Sequence, residues 1–317
     1  MRMKKVLVTG IVSKAGLAEL EKKCEVTYSE IPFKRSWVLE HLSEYDGVIL
    51  MGMTADKEFI EAGKNLAIIS VNGVGFDHVD LTAAAEQGIT VSNSPQSVRV
   101  ATAELTFSLI LAAAKRLHEY DSIVRSGSWV DVSEERYQGL TLDQKTLGVY
   151  GFGRIGQTVA KYADAFGMKI IYHDHVKLPE KVEKATNATY VEFDTMLSEA
   201  DVITIHAPLL ESTRGIFNEE TFKKMKSSAY LVNAARGPIV SEAALVSALK
   251  HHEIAGAGLD VFENEPRVSE ALRTLPTVIM APHAGTGTVA GRQEIATEAA
   301  ANIISFFEGK PVNVVSH

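Results

Sequence analysis

VYGFGRIG, Val149 to Gly156, lies near the middle of a chain of 317 residues. Its glycines Gly151, Gly153 and Gly156 are spaced G-x-G-x-x-G, the turn at which a strand of a dinucleotide-binding sheet runs into a helix. Such a match alone is weak, but here the context is complete. TLGVYG precedes it as a buried strand. RIGQTVAKYADAF follows as a helix, with Ile155, Val159, Ala163 and Phe166 on one face and Gly167 as C-cap. MKIIYHD then ends in Asp174, 18 positions after the last glycine, where a carboxylate accepts the hydroxyls of an adenosine ribose and repels a 2'-phosphate. The expected ligand is a dinucleotide, NAD in preference to NADP. His173, His175 and Lys177 temper that preference, because a cation there tolerates a phosphate.

A fingerprint of this kind usually opens a domain, yet 148 residues stand in front of it. Short apolar runs alternate with amphipathic stretches along the chain, the pattern of parallel strands joined by crossover helices. Strands are expected at KVLVTG, VTYSE, GVILMG, AIISVNG and ITVSN, with helices such as SKAGLAELEKK and VDLTAAAEQ, which already make one α/β domain. A second sheet follows in TLGVYG, MKIIYHD, DVITIHA, AYLVNAA, AGAGLDV and TVIMAPH. A long helix over about Val100 to Arg125 joins the two, with Ala103, Phe107, Ile110, Leu111, Ala114 and Leu117 as its apolar stripe. The helical pattern from about Thr288 to Phe307, and the turn and short strand of GKPVNVV, are expected to return to the first domain. The fold class is α/β: a Rossmann domain, 100–285, inserted in a flavodoxin-like domain formed by 1–99 and 286–317.

Composition excludes several classes. With 46% hydrophobic and 23% charged residues the chain is globular and long enough for two cores. Its 32 Lys and Arg against 40 Asp and Glu leave a net charge of −8, and the basic residues are scattered, which argues against a nucleic-acid partner. The single Cys24 forms no internal disulfide and has no companion at metal-ligand spacing, which fits a reducing compartment and no metal site. The apolar run at the N-terminus is too short for a signal peptide, and AELTFSLILAAAKRL, carrying Glu104 and Thr106, falls short of the roughly 18 apolar residues of a membrane span. A soluble cytoplasmic protein is expected, with the long helix free to pair with its copy in a homodimer.

Three strands of the second half end in unusual polar residues. LVNAARG ends at Arg236, GLDVFENEP runs through Asp260 to Glu265, and VIMAPHAG carries His283. Ligands of open α/β sheets bind beyond the carboxyl ends of strands, so these side chains can share one crevice. An Arg there grips a carboxylate through a forked pair of hydrogen bonds, and a His paired with a Glu is an acid–base group. Singly, each has an ordinary structural reading: a helix-end salt bridge, a solvated loop carboxylate, a capped turn. Together, beside a nucleotide fingerprint, they suit reduction of a 2-oxo acid. His206 follows a strand without a visible partner and reads as structural, and His251 and His252 read as exposed.

VNGVGFDHVD, GFGRIG, HAPL, VNAARG, LDVFENEP and APHAG, in this order, resemble the D-isomer-specific 2-hydroxyacid dehydrogenase family over essentially the whole chain. The family includes glyoxylate and hydroxypyruvate reductases, D-lactate dehydrogenases and phosphoglycerate dehydrogenases. The resemblance implies a catalytic set of Arg236, Glu265 and His283. It implies that Asp260 meets the nicotinamide carboxamide and the Arg154–Ile155 backbone the pyrophosphate. Asp174, Ala207, Pro208, Thr213, Ala234, Ala235, Arg236, His283 and Gly285 fall at further cofactor positions. The amides of Val74 and Gly75, in the first domain, match those that bind the substrate carboxylate, with Arg236 and His283. The leading residues are thus expected to form a substrate domain, with a cleft between domains that closes on the substrate. Ala234 and Ala235 replace the usual polar pair before the arginine, and GTGTVAG after the histidine is rich in glycine. Glu265 argues against the formate dehydrogenase branch, where glutamine stands.

The substrate itself stays open. Side chains around Ile11 to Lys14 and Met51 to Thr54 offer a mainly apolar lining, which favours glyoxylate, hydroxypyruvate or pyruvate. Phosphoglycerate is the alternative: no cationic cluster stands there, but Lys14 and Arg99 leave it open. An NAD-sensing corepressor that binds protein partners is the alternative of another class, against which the intact Arg, Glu and His set argues.

Overall fold

The computed structural model describes residues 2–315. They form two compact units, one of residues up to Arg99 with those from Thr286 onward, the other Val100–Gly285. Each is built on a parallel sheet covered by helices.

The first unit holds β1 (Lys4–Val8), β2 (Cys24–Thr27), β3 (Gly47–Leu50), β4 (Ile68–Val71) and β5 (Thr90–Ser92). The order β2-β1-β3-β4-β5 is that of flavodoxin-like sheets. All residues of β3 and β4 are buried, as strands covered on both faces must be, and this is why their sequences read as unbroken apolar runs. The helix Val289–Phe307, capped by the Thr288 hydroxyl on the amide of Gly291, packs Ile295, Ala296, Ala299 and Ile303 into the core with Val6, Val8 and Leu17. Polar staples fix it. Ser70 Oγ donates to the carbonyl of Ala299 at 2.9 Å, and buried Asn302 donates to the carbonyl of Asn93 at 2.8 Å.

The second unit holds β6 (Thr146–Tyr150), β7 (Lys169–His173), β8 (Ala188–Tyr190), β9 (Val202–Ile205), β10 (Tyr230–Asn233), β11 (Gly256–Leu259) and β12 (Val278–Met280). They lie in the order β12-β11-β10-β9-β6-β7-β8, a doubly wound sheet that reverses direction at β6 and β9. β10, β11 and β12 are direct neighbours in register, so their carboxyl ends come out side by side.

Four expectations are corrected. The long helix is two, Arg99–Ala114 and Leu117–Arg125, broken where Arg116 turns left-handed at φ 54°. The Ala114 carbonyl, which a continuous helix would use, is taken by the amide of Leu140 at 2.7 Å. SKAGLAELEKK is a 3₁₀ turn, Lys14–Leu17, and a single α turn, Ala18–Glu21. Gly16 is pressed so close to the C-terminal helix that a Cβ would stand 2.5 Å from that of Ala296. The strand placed at VTYSE is Cys24–Thr27, ending before Tyr28, whose hydroxyl turns to the carbonyl of Val12. The C-terminal strand reduces to one bridge, Val314 to Ser92. Among the described residues no helix is long and apolar enough to cross a membrane.

Candidate active site

The turn after β6 shows why three glycines stand there. Gly151 has φ 89°, and a Cβ on it would lie 2.5 Å from the amide nitrogen of Ala207, so the turn passes hard against the end of β9. A Cβ on Gly156 would lie 2.5 Å from the carbonyl oxygen of Gly151, the close approach of helix to strand. Gly153 differs: nothing lies within 4 Å of its missing Cβ. It is the N-cap of the helix Arg154–Ala165 and has no side chain to satisfy the first amides. An open glycine at an uncapped helix start, with amides and the positive end of the dipole facing it, fits a pyrophosphate. Asp174 stands behind the turn. Its Oδ2 accepts the amide of Phe152 at 2.7 Å, and its Oδ1 accepts the amide of His175 at 2.8 Å.

Beyond β10, β11 and β12 the chain makes three turns: the first is held by Asn233 at the end of β10, the second by Glu265 within it, and the third by Asp260, which follows β11. Asn233, 1% exposed, accepts the amide of Ala235 at 3.0 Å and donates to the carbonyl of Arg236 at 2.9 Å, which fixes the turn presenting the arginine. Arg236 Nη1 donates to the carbonyl of Ala235 at 2.8 Å. The next residue must be glycine, since a Cβ on Gly237 would lie 2.0 Å from the carbonyl of Phe262. Asp260, also 1% exposed, accepts the amides of Ala284 at 2.6 Å and Gly285 at 2.9 Å. It thereby supports His283 in a left-handed conformation, φ 53°, which is uncommon for a residue with a side chain. Glu265 Oε1 accepts the amide of Phe262 at 3.0 Å, and its Oε2 meets Nδ1 of His283 at 2.8 Å.

This pairing assigns the imidazole. With Nδ1–H donated to the carboxylate, Nε2 is the nitrogen left to exchange a proton. The histidine and glutamate side chains are 51% and 35% exposed, so the pair faces open space. The hydrogen bond and charge of Glu265, with a smaller contribution from Asp260, raise the pKa of His283 against the opposing effects of burial and of the Arg236 charge. Burial works against ionisation of Glu265, but His283, the Phe262 amide and Arg236 outweigh it and lower its pKa. Arg236, Asp260, Glu265 and His283 are thus one electrostatic group.

The other expected residues divide. Thr213 Oγ donates to the carbonyl of Pro208 at 2.7 Å and accepts the amide of Leu210 at 2.8 Å, so it closes the loop after Ala207. The Ala235 amide is already used by Asn233. Val74 and Gly75 lie in the first unit, in the loop after β4; Val74 is exposed, its carbonyl accepts Asn93 Nδ2 at 2.7 Å, and neither amide has a partner among the described residues. His206 has a partner after all, Thr204 Oγ at 3.0 Å, and burial pushes its pKa down to about 3, a neutral imidazole. Asn233 and Phe152 were missed. An Asn closing a buried apolar strand, before a tight turn, was the available signal for the first; the second acts through its amide and left none.

A histidine–carboxylate pair beside an arginine, and an open glycine turn at an uncapped helix start on the same sheet, suit an oxidoreductase using a nicotinamide dinucleotide, and that is the class this fold and site define. Residues 107–285 match the NAD binding domain of the D-isomer specific 2-hydroxyacid dehydrogenases. The chain belongs to that family. It is 42% identical to a glyoxylate reductase of Thermococcus litoralis, over 98% of this chain and 96% of the relative. It is 39% identical to another of Thermofilum pendens, over 98% and 93%. The crystal structure of a glyoxylate reductase from Paecilomyes thermophila is similar with a TM-score of 0.89 at 35% identity, covering 99% of both chains.

Proposed function

We propose that the protein reduces a small 2-oxo acid, glyoxylate first among the candidates, to the 2-hydroxy acid, with Arg236, Glu265 and His283 as the reacting set and NADH as the preferred cofactor. The observation that carries this is the 2.8 Å pairing of His283 Nδ1 with Glu265 Oε2 at strand ends adjacent to that of Arg236. When bound, the reduced nicotinamide supplies the hydride that the carbonyl carbon accepts. His283 holds a proton on Nε2 and gives it to the carbonyl oxygen, while Glu265 stabilises the imidazolium before transfer and keeps the ring oriented. Arg236 grips the substrate carboxylate and draws charge from the carbonyl. The amides of Val74 and Gly75, in the first unit, are assigned to substrate binding on the resemblance of their loop to the family. Asp260 positions His283 through the turn it caps. In the reverse direction His283 Nε2 accepts the hydroxyl proton. Kinship to glyoxylate reductases supports the substrate, and Asp174 supports NADH, since its charge opposes a 2'-phosphate.

The helix Leu117–Arg125 and the stretch after it leave Val124, Trp129 (86% exposed) and Val132 uncovered, which supports a homodimer through this segment. Sedimentation of the protein and of Trp129→Ser tests it. The lone thiol supports a cytoplasmic location, which cell fractionation tests. The main experiment follows NADH oxidation across glyoxylate, hydroxypyruvate, pyruvate and 3-phosphohydroxypyruvate. The highest kcat/KM is expected with glyoxylate; turnover of none of the four would refute the reading.

A further inference from the structure

The end of β7 carries an imidazole that the catalytic reading leaves unused. His175 Nδ1 meets Asp174 Oδ1 at 2.5 Å, the same oxygen that accepts the His175 amide. The other oxygen accepts the amide of Phe152 within the phosphate turn. A carboxylate offers about four acceptor positions, and these three donors leave one of them open. Two ribose hydroxyls need two positions, so the ring must leave for both to bind. The Asp174 side chain is largely shielded, whereas that of His175 is 89% exposed and free to swing. Among the described residues His175 is the cationic-capable side chain within ion-pair distance of Asp174.

We propose that His175 sets the cofactor selectivity of this site: protonated, it cancels the charge of Asp174 and admits a 2'-phosphate, and in either state its ring competes with the ribose hydroxyls of NADH. The inference rests on the reading of Asp174 as the ribose-facing carboxylate. Imidazole is the side chain that changes charge between about pH 5 and 8, so selectivity becomes a function of pH. The neighbours do not supply that change. Burial first, and then nearby carboxylates including Asp174, raise the pKa of the Tyr150, Tyr172 and Tyr190 phenols, which stay neutral in this range. Lys177 faces Glu183 at 3.9 Å, and Glu183 also accepts the Tyr172 hydroxyl. His173, with Nδ1 on the carbonyl of Val191, is the other imidazole and needs a control.

The test is binding, read by the fluorescence of NADH and NADPH at pH 6 and pH 8. In the wild type the ratio of the NADPH Kd to the NADH Kd should fall on acidification. Part of that fall belongs to the 2'-phosphate, whose second proton binds near pH 6. The His175→Ala variant retains that part alone, and its fall should be smaller by about two- to fivefold, the strength of an exposed ion pair. The same variant should bind NADH more tightly at pH 8, where the competing ring is gone. His173→Gln should keep the wild-type response. If His175→Ala follows the wild type at both pH values, the inference is overturned while Asp174 keeps its role. If Asp174→Asn leaves the Kd ratio unchanged, the reading of Asp174 itself fails and this inference with it.

Discussion

The two sheets use the same device at their amino ends and opposite devices at their carboxyl ends. Asp46, just before β3, accepts the amide of Lys5 in β1 at 2.9 Å and the ammonium of Lys4 at 2.9 Å. Asp201, just before β9, accepts the amide of Thr146 in β6 at 2.8 Å and the ammonium of Lys226 at 3.0 Å. In each, burial resists ionisation and the hydrogen bonds overcome it, lowering the pKa. At the carboxyl ends the first unit relies mainly on neutral staples, Thr9 to the Met51 carbonyl, Asn93 to Val74, Ser94 to Val71 and Asn302 to Asn93, with Glu298 of the C-terminal helix holding the amides of Gln96 and Ser97 further along the chain. The second unit places carboxylates there, Asp174, Asp260 and Glu265, each binding backbone amides of a turn. Carboxylates at the amino ends hold a fold together; carboxylates at the carboxyl ends of the second sheet also bias the charge of whatever binds beyond them. Functional load is therefore expected to follow the carboxyl-end charges and not the burial of charge as such.

The largest test of that difference is His283→Ala. Loss of a positioned general acid should lower kcat for oxo-acid reduction by about a hundred- to ten-thousand-fold, with NADH binding retained through the glycine turn. Activity near the wild-type level would remove the carboxyl ends of the second sheet from the chemistry. The amino ends supply the counterpart. Asp46→Asn and Asp201→Asn should each cost about 1.5 to 3 kcal/mol of stability at neutral pH, measured by denaturant unfolding, without altering kcat. Because both folded pKa values are lowered, this stabilisation is present above the unfolded value near 4 and is lost as pH falls through the folded value. The gap between wild type and variants should accordingly close in acid; a gap that persists at pH 2 would break the parallel.

Asn302→Ala probes the neutral staples. It leaves the Asn93 carbonyl without its donor and should cost about 1 to 2 kcal/mol, again without a change in kcat. The smallest effect is expected for Glu265→Gln. The wild-type carboxylate raises the pKa of His283, and reduction requires the protonated ring, so the alkaline limit of reduction should move to lower pH in the variant. A pH profile of kcat/KM that does not move would return Glu265 to an ordinary loop carboxylate.

Much of this was legible in advance. The strands of the second sheet were readable because parallel strands buried on both faces leave continuous apolar runs, and TLGVYG, DVITIHA and AYLVNAA coincide with β6, β9 and β10. β8 escaped, since its three residues, Ala188–Tyr190, bury only the first and make no apolar run. The break at Arg116 escaped for another reason: the apolar stripe runs on through it, and what ends the first helix is a backbone hydrogen bond from Leu140, remote in sequence. Arg236, Glu265 and His283 stood out as polar residues closing apolar strands. Asp260 was singled out for the cofactor; that its carboxylate also grips the amides of Ala284 and Gly285 was not legible.

The sequence by itself determined the α/β class, the place of the phosphate turn and the identities of the ionisable groups, because these depend on periodicity, on glycine spacing and on side-chain chemistry, all of which are local. Only the tertiary structure decided which nitrogen of His283 is left for the proton, which side chains hold the turns beyond β10 and β11, and that Asp174 is shared between Phe152 and His175. Those outcomes depend on angstrom-scale distances between residues far apart in the chain or on the rotamers of neighbours, and no periodic pattern encodes them.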